Sequence, residues 1–216
     1  MGTLHTHFGT TLEQLGLAAV DLPTAVFYHA DVGIRFEIGG KEAVYLTDGG
    51  EVSPSYVEHA YFRAKTLFYD LPHRPDLLRI DCGPKERDLT QKILSQMGLP
   101  MPDESIQEDR MDGEDRISQE HLYWDLTKRD VPLNQLLLEI IKGDIGGFSW
   151  LCSNVYLLNT KCFLLYHLYD DRGADIVAKD RAFLLPIYQK YNDWILPHDK
   201  AKIDRLFSDF IEKGRG

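Results

Sequence analysis

Apolar and polar positions alternate most sharply at residues 32–38. Val32, Ile34, Phe36 and Ile38 share one side of an extended chain, and Gly33, Arg35 and Glu37 share the other. This period of two predicts a half-buried strand. Gly39-Gly40 ends it, and residues 43–47 read as a returning hairpin partner closed by Gly49-Gly50. The period then changes. Val57, Ala60, Tyr61, Ala64, Leu67, Phe68 and Leu71 recur at helical spacing behind a Ser53-Pro54 start, with Ser55 and Glu58 as a capping box. A short helix is expected at 11–15, a strand at 76–82, and a helix at 86–97 stopped by Gly98 and Pro100.

Beyond residue 120 the pattern predicts an extended segment at 121–126 and a helix at 132–142 ended by Gly143. Residues 155–158 and 162–169 read as an antiparallel hairpin turning at Asn159-Thr160. The second of these strands is apolar on both faces, as a covered central strand is. Asp170-Asp171-Arg172-Gly173 has turn chemistry, and 174–177 gives a further short strand. Asp180 caps a helix reaching about residue 194, with Pro186 early in it or at a kink. Asp199 caps the last helix, striped by Ile203, Leu206, Phe207, Phe210 and Ile211 and stopped at Gly214.

The pattern as a whole predicts an α+β fold. A mainly antiparallel sheet carries helices on one side, and a C-terminal β-meander is followed by two helices. Residues 102–120 hold eight acidic residues and two arginines with few large apolar groups, which predicts an exposed acidic loop or linker. On that reading an N-terminal half spans 1–101 and a C-terminal half 121–216, unless the two form one continuous domain.

Charge and cysteines narrow the setting. A formal net charge of −10 argues against nucleic acid, which needs clustered Lys and Arg, and favours solubility or a basic partner. No apolar run is long enough to span a membrane, and the first residues lack a signal peptide. Gly2 and Thr6 have myristoylation spacing, but no polybasic segment follows. Cys82 stands alone. A turn at Asn159-Thr160 puts Cys152 and Cys162 on opposite faces, or beyond disulfide reach along the ladder if the turn shifts by one residue. Reduced cysteines and a cytoplasmic location are expected.

Candidate chemistry gathers at the C-terminal turn. Asp170, Asp171 and Asp175 bring three carboxylates within six residues beside His167, with Tyr169 and Arg172 among them. Hard cations take such oxygens, but the spacing is not that of an EF-hand, and turn chemistry or pairing with Arg172 explains the same residues. No metal or other cofactor is expected. Asn192, Asp193 and Trp194 add an aromatic anchor and hydrogen-bonding groups, which suit either a recognition surface or a helix end with a core tryptophan. Arg35 and Glu37 read as a solvated strand face. His5 and His7 form a His-x-His pair at a terminus, where disorder is the default. Residues 146–151 lack the second glycine of a nucleophile elbow, position 151 being Leu. Phosphate-loop, dinucleotide, Cys-x-x-Cys and His-Glu-x-x-His signatures do not occur.

Several blocks resemble an uncharacterised bacterial family, the domain of unknown function DUF3885. They are Gly33-Ile34-Arg35-Phe36-Glu37-Ile38-Gly39-Gly40, Arg63-Ala64 with Leu67-Phe68, and Leu168-Tyr169-Asp170-Asp171-Arg172-Gly173-Ala174-Asp175. Tyr191-Asn192-Asp193-Trp194-Ile195-Leu196 and residues 199–207 complete the set. The resemblance implies a bacterial protein of similar architecture and carries no activity, cofactor or catalytic residue. Two functions stand open: a non-enzymatic binding protein, such as an immunity-type neutraliser of a basic protein, and an enzyme with an acidic site at Asp170–Asp175.

Overall fold

The computed structural model describes residues 3–18, 22, 25–46, 50–83, 87–112, 115–147 and 149–213. Features expected at Gly2, Thr47, Gly49, Glu86, Phe148 and Gly214 lie outside them. The chain begins with α1 (Thr3–Gln14), β1 (Gly33–Glu37), α2 (Pro54–Tyr69), β2 (Leu77–Cys82) and α3 (Arg87–Gln96). It continues with β3 (Glu104–Asp112), β4 (Asp115–Asp125) and α4 (Leu133–Lys142). The last part holds β5 (Val155–Asn159), β6 (Leu164–Leu168), β7 (Gly173–Ala178), α5 (Arg181–Lys190) and α6 (Lys200–Lys213).

The seven strands form one sheet in the order β1-β7-β6-β5-β2-β4-β3, with every neighbouring pair antiparallel. Strands from 1–101 and from 121–216 interleave, because β2 hydrogen-bonds both β4 and β5. Alternation along each strand divides the core into two layers. On one face Ile34, Phe36, Leu78, Ile80, Leu122, Trp124, Leu164, Tyr166 and Ile176 meet α2, α4, α5 and α6. On the other, Leu77, Tyr123, Tyr156, Leu158, Leu165 and Val177 meet Phe8 and Leu12 of α1 and the chain that follows it. Most helices therefore lie on one side, as expected, while α1 covers the opposite face. No described helix is long and apolar enough to cross a membrane.

Four local expectations change. The acidic segment 102–120 is not a loop but β3 and most of β4. Leu122 and Trp124 zip β4 onto β2, and an edge strand can then be polar, because it hydrogen-bonds on one side and needs little core. Residues 43–46 do not pair with β1, whose neighbour is β7; Tyr45 instead makes an antiparallel bridge with Val52. The β5–β6 hairpin pairs Asn159 with Leu164, so its loop is four residues, not two. The Asn159 side-chain Oδ1 accepts from the N–H groups of Lys161 and Cys162, both at 3.0 Å, and so builds the longer turn. The His-x-His pair is helical rather than disordered, since α1 begins at Thr3.

The helix starts follow local chemistry. Ser53 itself caps α2, its Oγ accepting from Tyr56 N–H, and Asp180 caps α5 through Ala182 N–H. Pro186 is accommodated inside α5, which ends at Lys190. The Asp199 carboxylate, at the start of α6, accepts from Tyr28 Oη at 3.0 Å. Residues 195 and 196 bond along the outer edge of β1, through the Phe36–Ile195 bridge and Leu196 N–H to the Arg35 carbonyl. At the opposite edge, no strand or bridge pairs with the outer side of β3 among the described residues.

Candidate functional site

The β6–β7 turn is organised by its own arginine. Asp170 accepts from Arg172 N–H at 2.8 Å and Nε at 2.9 Å, and closely from Nη2. That pairing raises the Arg172 pKa above its ordinary value. The Asp171 carboxylate is buried and accepts from Tyr56 Oη at 2.5 Å. Burial raises the pKa of Asp171, and burial together with the Asp171 bond raises that of Tyr56. Asp144, Asp170 and Asp171 each bring one oxygen within 4.8 Å of the others, the described group best suited to a cation. Arg172 already bonds Asp170 and lies 3.6 Å from Asp144, so a guanidinium supplies the charge a metal would bring.

Asp175 belongs to a different place. Alternation along β7 turns it to the α1 side of the sheet, where its two oxygens accept from Arg35 Nε and Nη2, both at 2.7 Å, and from Phe27 N–H at 3.2 Å. The Arg35 guanidinium lies 4.6 Å from the Tyr28 ring and 5.0 Å from that of Tyr169. Burial opposes its charge, but the Asp175 bonds and charge outweigh burial and raise its pKa. Gly173 lets Tyr169 reach this position: a Cβ there would collide with the Tyr169 ring and lie 2.8 Å from the Phe36 carbonyl oxygen. Arg35 is thus not on a solvated face. Its side chain is only 10% exposed.

His167 is buried beside Asp175. Its ring stacks on Tyr156 at 5.0 Å, and Nε2 meets the Ser153 carbonyl at 3.2 Å, which assigns the proton to Nε2. Nδ1 has no partner. Burial lowers the His167 pKa, so the ring is neutral at pH 7.

Asn192, Asp193 and Trp194 form a single 3-10 turn after α5. Trp194 is half-buried, stacked on Tyr191 at 4.6 Å and faced by the Arg63 guanidinium at 5.0 Å. Asn192 joins Lys200 and Asp204 of α6, and Asp193 is exposed. This turn meets the outer edge of β1, whereas Arg172 bonds Ile38 N–H beyond the end of that strand. The candidate patch therefore divides into three places: a self-paired acidic turn, a buried Arg35–Asp175–His167 group, and a tryptophan turn.

A larger feature escaped the sequence. Arg35, Asp175, His167, Tyr156, Arg79, Tyr123 and Glu104 occupy one transverse row, one residue from each of the seven strands. Register or ring stacking joins each to the next. Arg79 sits mid-row, bound to Asp81 at 2.5 and 2.8 Å, while His121 Nδ1 lies 2.7 Å from Asp81 and 2.8 Å from Arg79. Burial opposes both charges of the Arg79–Asp81 pair. His121 and Arg79 nonetheless lower the Asp81 pKa, and Asp81 raises that of Arg79. The available signal was Arg79 and Asp81 at i, i+2 inside the otherwise apolar strand Leu77–Cys82.

At the β3 end of that row lies a groove of about 590 Å³. Asp76, Asp103, Glu104 and Asp125 line it, against Lys128 and Lys161. Lys128, 2.6 Å from Asp125, lowers the pKa of that carboxyl. Glu104 accepts from the first described turn of α1, Leu4 N–H at 2.9 Å and His5 N–H at 3.2 Å. β3 itself, which forms the open sheet edge, carries four acidic residues and one arginine.

Residues 11–199 match the family described as "Domain of unknown function (DUF3885)", and the chain belongs to that family. It is also similar to the uncharacterised protein YnaE of Bacillus subtilis (strain 168), 32% identical over 73 residues. That match covers 31% of this chain and 34% of the relative, so the chain spans about a third of its length. No solved structure matches.

Proposed function

We propose that this DUF3885 protein is a non-catalytic binding protein whose partner presents a basic, extended segment to the β3 edge. The observation that carries this reading is the outer side of β3, unpaired among the described residues, beside a groove lined by four carboxylates. An unpaired strand edge offers a ladder of N–H and C=O groups that an added strand can satisfy. Acidic side chains along it reject a second acidic copy and speed the approach of a basic chain. Neutralisation of a basic toxin is one form this takes. Cys82, Cys152 and Cys162 form no disulfide with one another, which supports a reducing, cytoplasmic setting. The interleaved strands support treating the two halves as one folding unit.

The alternative, catalysis at Asp170–Asp175, needs a carboxylate available to substrate. Asp170 and Asp175 each hold an arginine, and Asp171 is bound to Tyr56, which favours binding over catalysis. The test uses a peptide of the length of β3, nine residues, alternating Lys and Val, with a Glu–Val counterpart. The Lys peptide is expected to bind, and more weakly as salt screens the edge. Equal affinity for both peptides, or no binding of the Lys peptide at low salt, refutes the proposal.

A further inference from the structure

We propose that the first two turns of α1 act as a lid over the β3 end of the polar row, competing with a partner for Glu104 and Glu108. The competition rests on the binding reading above; the lid does not. The two parts of α1 are held differently. From Thr11 onward, the helix and the chain after it bury Leu12, Leu15 and Leu17 among Leu77, Leu158, Leu165 and Val177. The earlier part is held by polar contacts at the groove and by two apolar side chains, Leu4 and Phe8. Glu104 accepts two of its backbone N–H groups, His5 Nδ1 lies 2.9 Å from Tyr123 Oη, and His5 Nε2 lies 3.4 Å from Glu108. Leu4 packs on the same apolar cluster, and the buried Phe8 ring lies 4.3 Å from the Arg79 guanidinium and edge-on to Tyr123 and Tyr156.

What lies beneath does not need the lid. Arg79, Asp81 and His121 satisfy one another, so lifting His5 and Phe8 wets a paired network rather than orphaning a buried charge. A helix of 12 residues has little stability of its own, so its polar half can fray while the apolar half stays anchored. Thr3, Leu4 and His7 line the acidic groove, so a basic segment entering it meets this part of α1 first. Glu108 also lies 3.3 Å from His121 Nε2, which lets it keep one partner when His5 leaves.

Hydrogen exchange on the full chain and on His5→Ala tests the lid. Amides of His7 to Thr10, bonded within the helix, are expected to exchange at least tenfold faster than those of Leu15 and Leu17. In His5→Ala they are expected to quicken by about fivefold, the ratio one lost hydrogen bond gives. The same variant is expected to bind the Lys–Val peptide about fivefold more tightly. Exchange at His7 to Thr10 as slow as at Leu15 and Leu17 overturns the lid, whatever the peptide does. Peptide binding that is present but unchanged by His5→Ala overturns the competition. Absence of binding by both proteins overturns the function reading and the competition with it, a result distinct from slow exchange.

Discussion

Replacing Asp175 by Asn leaves the Arg35 guanidinium in a site built for a pair. The side chains are 10% and 0% exposed, so water cannot take over the lost charge. Removing one partner of such a buried pair costs about 3–5 kcal/mol, several times the worth of a surface ion pair. For a chain of this size that corresponds to a fall in Tm of roughly 10 °C. The double variant Arg35→Met, Asp175→Leu removes both charges while keeping apolar volume among Phe27, Tyr28 and Tyr169. It is expected to recover most of the loss, because no buried charge is left without its partner. Urea unfolding of the wild type, Arg35→Met, Asp175→Leu and the double variant closes the cycle. A single-variant cost below about 1 kcal/mol would place the pair with exposed salt bridges and refute the reasoning. So would a double variant as unstable as the sum of the singles.

Three further outcomes follow from neighbouring groups. Burial lowers the folded pKa of His167 below its ordinary 6.5, so the unfolded chain takes up the proton first. The stability carried by neutral His167 is therefore present above about pH 6.5 and lost as pH falls through and below it; His167→Leu should flatten that slope in urea unfolding at about pH 5 and 7.5. Tyr56→Phe removes the donor at 2.5 Å from the buried Asp171 carboxylate and should cost about 1–3 kcal/mol, against near zero if water replaces the hydroxyl. Burial, with Asp144 beside it, pushes the Cys152 thiol up to about 12. Ellman's reagent should therefore modify Cys152 slowly in the folded protein and rapidly in urea.

Where one stretch of sequence decided the outcome, the sequence was readable. The alternation at 32–38 became β1, the helical spacing from Val57 to Leu71 became α2, and the acidic turn with the short strand after it became the start of β7. The failures came from forces acting between distant residues. Composition made 102–120 read as an exposed loop or linker, yet pairing of β4 with β2 extends that segment and leaves β3 on the edge. The β5–β6 register slipped because the Asn159 side chain, rather than the strand pattern, sets the loop. At the candidate site, proximity in sequence misled: Asp170 and Asp175 lie five positions apart but serve different arginines on different parts of the sheet. Arg79 could not be joined to Tyr123 and Tyr156 without knowing the strand order.

The central claim, docking of a basic segment on the open sheet edge, is tested most directly by hydrogen exchange with and without the Lys–Val peptide. The account predicts new protection along Glu104–Asp112, with β1 at the opposite edge unchanged. Protection appearing instead at the Asp170–Arg172 turn, or nowhere while the peptide is bound, would contradict it.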